Sequence, residues 1–520
     1  MLLVHERGGR IATVAVTIAL ALVALMAAAA RVQATERVFW DNYALHPASI
    51  GFADITGAGG GSLNLAGVEV KGPEGMAYDS VTGRIFVAGY ESGADKTGQI
   101  IWANIDGSGA GVLDTAGAPL DEPMGVAVDP VNRLIYWVNT EGPDHGSVAF
   151  ARLDGSGGGQ LNTAGAPPFD EPYRLGYDPA SGKVFWSDEI GSTDIIAFAF
   201  VNGSGGGTLD LSGAPEFKGA NGFTVDSAAG RLYWTDGEHL DYVSVNGGSG
   251  GAVDLTGADV RQPYGLALDP ANGTVYWGNY DKDEGENAGA IGFVRLSGGG
   301  GSITPSPSAP VKGPQDPVIV KSPAGTGLPA IARDAKNRAR LTCSDGAWGA
   351  DAPGGNVYQA PNALAYQWLR NGKAASGATA ATLSAKSAGK YSCVVTGSNP
   401  VGSASQTSAA VKVMAAKVKL TTKKKAKAET GEVVKFKVKA VNQGDLVPKS
   451  AKLCVKLPKS AADDLKAPKC KKLGKLKGGA KKTLTIRIKV KPGADEGTDK
   501  LTFMVKGAAG KATKSKIIVG

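Results

Sequence analysis

Oxygen donors are plentiful in this chain, but few stand where chemistry could use them. Five short apolar stretches, GMAYD (75–79), GVAVD (125–129), LGYD (175–178), GFTVD (222–226) and GLALD (265–269), each end in an aspartate just before Pro or Ser. A carboxylate in that place accepts backbone N–H groups and closes a turn, so Asp79, Asp129, Asp178, Asp226 and Asp269 read as turn formers, not as acid–base pairs. At the leading ends of the same stretches stand Pro73, Pro123, Pro172, Ala220 and Pro263, and only Glu74 and Asn221 beside them could ligate a metal. A hard cation such as calcium takes about six to eight oxygens, so two donors are a thin set. The turns DGSG at 106–109 and 154–157, with Asn202 and Asn246 in the equivalent place, lack the spacing of a calcium loop. Asp-Gly and Asn-Gly tolerate positive φ, and these turns are expected to be hairpins. His46, His145 and His239 fall in unrelated turn regions and assemble no Ser/His/Asp arrangement. No catalytic residue is assigned and no cofactor is expected. The same leading ends carry Met124, Tyr173, Arg174 and Tyr264, and aromatics with arginine at such a rim are residues that anchor partners or carbohydrates.

These residues sit in a repeating frame. A second strand-like run follows each stretch, as VFWD (38–41), IFVA (85–88), IYWV (135–138), VFWS (184–187), LYWT (232–235) and VYWG (275–278). Successive copies lie 47, 50, 49, 48 and 43 residues apart. Short strands repeated at a period in the forties, four to a unit with turn residues between, predict a β-propeller. There are six second strands but only five first strands, because the first unit begins directly with its second strand. The segment VKGPQDPVIVKSP (311–323) echoes VKGPEGMAYD (70–79), and residues 317–321 are expected to supply the missing strand and close the ring. Closure of that kind removes exposed sheet edges.

Tyr233-Trp234-Thr235-Asp236, the GLALDP-like strands and the DGSG turns resemble low-density-lipoprotein-receptor class B repeats over residues 37–321. The resemblance implies a six-bladed propeller in which that motif is structural, its aromatics packing between blades. Only one copy has the full YWTD, residues 85–88 lack the Trp, and Arg174 replaces the Gly that precedes the strand elsewhere. Six-bladed propellers also include metal-dependent lactonases with a calcium in the channel. A calcium-dependent hydrolase with accessory domains is therefore the alternative reading.

The remainder differs in composition. Cys343, Trp368 and Cys393 are each 25 residues apart, with Tyr391 two before the second cysteine. That is the immunoglobulin arrangement of an intersheet bridge, a Trp packed on it and a tyrosine corner, covering about residues 324–414. Residues 416–520 hold 29 Lys+Arg against 8 Asp+Glu, with VVKFKVKAV (433–441) and TLTIRIKVK (483–491) alternating apolar and basic. This predicts a β-sandwich with one buried and one lysine-covered face; it resembles bacterial adhesion-type surface repeats. The four cysteines are expected to pair within domains, as Cys343–Cys393 and Cys454–Cys470. The whole is thus expected to be all-β, a six-bladed β-propeller plus two β-sandwich domains.

Residues 35–300 carry a net charge of −22 and residues 301–520 one of +28, so the overall +8 conceals two opposite halves. The first 34 residues, two arginines then an uncharged apolar run at 11–30 and small residues before position 35, predict a secretory signal peptide, with no further membrane-spanning run. The expected function is a secreted or cell-surface binding and adhesion protein. Its propeller would recognise a protein or glycan, and its basic domain would hold it on an anionic cell-envelope polymer. Lysine without arginine or aromatic side chains argues against nucleic acid.

Overall fold

The computed structural model describes residues 36–90, 98–142, 145–191, 193–280 and 289–520; the predicted signal peptide lies outside them. The chain is all-β, and its repeating units form the six blades of a propeller. Blade two shows the pattern: Pro73–Asp79, Arg84–Tyr90, Gly98–Asn104 and Ala110–Val112 pair in sequence order. Blades three to six repeat it, with inner strands Pro123–Asp129, Glu171–Asp178, Gly222–Asp226 and Pro263–Asp269. Blade one takes its inner strand from far along the chain. Pro314–Lys321 pairs antiparallel with Glu36–Asn42, with Val38 opposite Ile319. The six inner strands neighbour one another in order, and the last returns to the first.

The repeated residues explain the blade. Trp40, Trp137, Trp186, Trp234 and Trp277 are fully buried. The indole N–H of Trp137 donates to the Pro119 carbonyl at 2.9 Å, and that of Trp277 to the Asp259 carbonyl at 3.1 Å. Tyr233 and Thr235 are likewise buried, while Asp236 accepts the backbone N–H groups of Glu238 and His239. Residues 233–236 are thus held by burial and local hydrogen bonds within the blade. Asp106, Asp154 and Asn202 each accept the N–H two residues on, at 2.9, 3.0 and 3.0 Å, which is hairpin geometry. Asp226 likewise accepts the N–H groups of Ala228 and Ala229.

The far ends of the inner strands are covered by a segment from later in the chain. The compact unit containing the propeller also takes in Trp348–Ala363 and Gly397–Ala404. Within it a 3₁₀ turn, Pro353–Gly355, lies under the inner strands of blades three to six. The Thr224 hydroxyl donates to the Gly354 carbonyl at 3.3 Å. A Cβ on Gly355 would meet the Leu268 carbonyl oxygen at 2.3 Å, so only glycine permits this approach. Val357–Tyr358 then pairs parallel with Pro314–Lys321, and the buried Tyr358 ring packs 4.8 Å from that of Tyr78. This end of the channel is plugged.

The second compact unit comprises Gly325–Ala347, Leu364–Thr396 and Ser405–Gly520. Cys343 and Cys393 are bridged, Trp368 is fully buried, and the Tyr391 hydroxyl donates to the Ser387 carbonyl at 2.8 Å. These are the three immunoglobulin-like features. The lysine-rich sandwich has two sheets. One runs Val418–Thr421, Val433–Asn442, Lys481–Val490, Leu465–Lys466; the other runs Lys425–Ala428, Thr513–Val519, Gly497–Lys506, Lys452–Lys456, Lys471–Lys472. Alternation places Val434, Phe436, Val438, Ile486, Ile488, Leu501 and Phe503 in the core between them. Cys454 bridges to Cys470.

Candidate binding site at the mouth of the propeller channel

At the leading ends of the inner strands the channel narrows to backbone contact. Aligning the six strands puts Gly75, Gly125, Arg174, Gly222, Gly265 and Asp316 at one level. A Cβ on Gly125 would stand 2.5 Å from the Leu175 nitrogen, and one on Gly265 2.4 Å from the Asp316 Cα. Four glycines thus let the strands close in, and the two side chains that remain belong to blades four and one. Those blades face each other across the ring.

Arg174 and Asp316 meet there. The Arg174 Nη1 donates to Asp316 Oδ2 at 3.3 Å and to the Glu74 carbonyl at 2.8 Å. Its Nη2 donates to the Tyr173 hydroxyl at 3.2 Å and to Gln315 Oε1 at 3.3 Å, and lies 3.7 Å from Glu74 Oε2. The Tyr173 hydroxyl in turn donates to that Glu74 oxygen at 3.2 Å. The guanidinium also lies over the Tyr173 ring at 4.4 Å and the Tyr264 ring at 5.5 Å. A buried charge persists only when paired and hydrogen-bonded, and this arginine is both.

The electrostatics follow from burial. Desolvation pushes Glu74 up to about 7, outweighing the lowering pull of Arg174. Asp316 is raised by burial against the same opposing arginine. Asp41 is fully buried and neither of its carboxyl oxygens has a hydrogen-bond partner. Burial, then Asp316 and Glu74, push it well above the usual carboxylate range. Arg174 is raised further above its ordinary value: burial alone would lower it, and Tyr173, Asp316 and Glu74 more than offset that.

Above this closed floor stands a collar of tyrosines. Tyr43, Tyr90, Tyr173, Tyr264 and Tyr280 are all half-buried. The Tyr264 and Tyr280 rings are 4.9 Å apart and those of Tyr43 and Tyr280 5.7 Å. Of the rim candidates in the sequence, Tyr173 and Tyr264 belong to this collar. Arg174 lies beneath it, and Met124 is buried against blade four, packed with Leu175 and Tyr177. Asp316, Gln315, Asp41, Tyr43, Tyr90 and Tyr280 were not singled out from the sequence. For Asp316 a signal existed, since DPVIV aligns with GLALD and puts Asp in the glycine position.

The residues do not fit the calcium that the lactonase reading would require. Glu74 and Asp316 already engage a guanidinium that stays protonated at any working pH, and a divalent cation would have to share their oxygens with it. Asn221 is half-buried ahead of the blade-five strand, with its backbone carbonyl accepting the Gly265 N–H at 2.9 Å. Among the described residues no three His, Cys, Asp or Glu side chains are grouped to hold a metal ion.

No family model and no curated protein matches the chain. Solved structures with a similar propeller include a nidogen/laminin complex, at 15% identity over 55% of this chain and 98% of that one, with a TM-score of 0.42. TolB from Acinetobacter baumannii is 12% identical over 55% of this chain and 66% of that chain, with a TM-score of 0.39. The periplasmic gluconolactonase of Pseudomonas aeruginosa is 14% identical over 55% and 99%, with a TM-score of 0.35. The likeness is one of fold alone, a multi-bladed β-propeller.

Proposed function

We propose that this is an exported binding protein of the cell surface, whose propeller recognises a protein or glycan at its tyrosine collar without turning it over. The observation that carries this reading is the Arg174–Asp316 pair across the channel. It fills the place where a propeller hydrolase would present cation and substrate, and the Pro353–Gly355 plug closes the other end. Among the described residues, a half-buried tyrosine collar stands above that pair. Tyrosine offers a large, stiff apolar face with a polar tip, which suits sugar rings and protein side chains alike. The basic sandwich would keep the protein on an anionic envelope polymer, through charge attraction that acts over several ångströms and weakens with salt.

The test is binding of the intact chain to arrays of glycans and isolated envelope proteins, beside Tyr264→Ala and Tyr280→Ala. Saturable binding that falls at least tenfold in both variants is expected. Equal binding by wild type and variants would remove the collar from the reading. Turnover of lactones that is lost with Glu74→Gln would replace it with the hydrolase.

A further inference from the structure

The lysines of the C-terminal sandwich are not spread evenly, and strand register shows where they converge. In the five-stranded sheet Lys425 stands opposite Lys516, which stands opposite Lys500. One row along, Lys514 faces Thr502, which faces Lys456. At the other end Lys472, Lys452 and Lys506 form a third row. All eight lysines are exposed, and among the described residues none has a carboxylate within ion-pair distance. Adjacent strands lie roughly 4.8 Å apart, so each all-lysine row sets three ammonium groups within about 10 Å. Like charges directly opposite one another destabilise a sheet, and this face does it repeatedly.

Solubility does not account for such an arrangement. Lysines that guard against aggregation belong on edge strands, and Thr513–Val519 and Gly497–Lys506 are interior strands of this sheet. A merely soluble surface mixes both signs. The face is also concave: a groove of about 670 Å³ is lined by Lys424, Lys456, Lys500, Thr502, Lys514 and Lys516. The other sheet sets two cationic pairs directly opposite, Lys435 with Arg487 and Lys466 with Lys489, but among the described residues no row of three, and Lys437 and Lys439 face threonines.

We propose that this groove is a binding site for a linear phosphate polyanion. The inference rests on the reading that the basic domain holds the protein on an anionic polymer, and assigns the surface and the chemistry. The rows contain no aromatic side chain for a sugar or base to stack on, and no arginine to grip a planar carboxylate with two parallel hydrogen bonds. Lysine is a compact point charge that binds phosphate through charge alone. A chain carrying a phosphate in every repeat meets rows of such charges without needing a fixed orientation. Its binding also relieves the repulsion built into the sheet.

The test uses the intact chain, inorganic polyphosphate as probe and polygalacturonate as the carboxylate comparison. One variant carries Lys456→Gln, Lys500→Gln, Lys514→Gln and Lys516→Gln. The other removes the same charge from the opposite sheet, with Lys435→Gln, Lys437→Gln, Lys439→Gln and Lys489→Gln. The groove variant is expected to lose at least tenfold in polyphosphate affinity and to lower the log–log salt slope by roughly 3, while the control loses less than threefold. Without ligand, the groove variant should melt higher than wild type, because repulsion is gone. Equal losses in both variants would overturn the site in favour of net charge. Polygalacturonate bound as tightly as polyphosphate would overturn the phosphate assignment. Failure of the wild type to bind either polymer would overturn the retention reading on which the proposal rests.

Discussion

Replacing Glu74 by Gln tests the closed floor of the channel through its pH dependence. The Glu74 carboxyl is pushed from 4.5 to about 7 in the folded chain. The folded state therefore holds this proton across a range in which the unfolded state has released it. Stability then falls as pH rises, because the unfolded state binds fewer protons. The contribution is full below about 4.5 and is lost as pH climbs through about 7. At roughly 1.4 kcal/mol per pH unit of difference, the loss by pH 8 is about 3 kcal/mol, and with only 5% of the residue exposed there is little solvent to dilute it. Glu74→Gln keeps the shape and removes the titration. Urea denaturation of wild type and variant, followed between pH 5 and 8, should show wild type losing about 3 kcal/mol more than the variant. Asp41 and Asp316, raised in the same direction, leave a residual slope in both proteins. Parallel pH profiles would refute the burial of an ionisable Glu74 beside Arg174.

Three further outcomes follow from the same geometry. Arg174→Met leaves Asp316 and Glu74 buried without their cation, and should cost about 3–5 kcal/mol, more at pH 8 than at pH 5, measured by the same denaturation. Gly265→Ala places a methyl group against the Asp316 backbone at a residue with φ +58°, and should prevent the inner strands from closing, read as loss of the cooperative thermal transition. Reducing the Cys343–Cys393 and Cys454–Cys470 bridges, which close separations of 50 and 16 residues, should cost about 4 and about 3 kcal/mol respectively by loop-closure entropy. Calorimetry with and without reductant checks this, and a thermal profile unchanged by reductant would contradict it.

The fold was legible because its signals are local and repeated. A buried second strand every 43 to 50 residues, with a Trp in five of its six copies, turn aspartates and Asp-Gly or Asn-Gly hairpins each report the strand beside them, and the copies reinforce one another. The Cys343, Trp368, Cys393 and Tyr391 pattern was readable for the same reason, being short and specific. The site was legible only in part. Arg174 stood out as a departure from glycine, but its partner Asp316 lies 142 residues away, in a stretch whose sequence reads first as a linker and strand. Asp41 follows Trp40 in an ordinary strand, and only the closing of blade one brings it near Glu74. The Pro353–Gly355 plug carries no local mark of its destination. A Pro-Gly-Gly turn reads as a loop wherever it docks, and its contacts are with backbone carbonyls that have no sequence signature. The lysine rows were visible as alternation, but which lysines face one another is a matter of strand register, which alternation does not specify.

The most direct measurement is a calorimetric titration of the intact chain with calcium, paired with thermal melts in the presence and absence of a chelator. With Arg174 holding the carboxylates at the channel mouth, the result expected is no saturable calcium binding there and no change in the propeller transition on chelation. One firmly held calcium, abolished by Glu74→Gln and accompanied by a melting temperature that drops with chelator, would contradict the account and return the channel to hydrolytic chemistry.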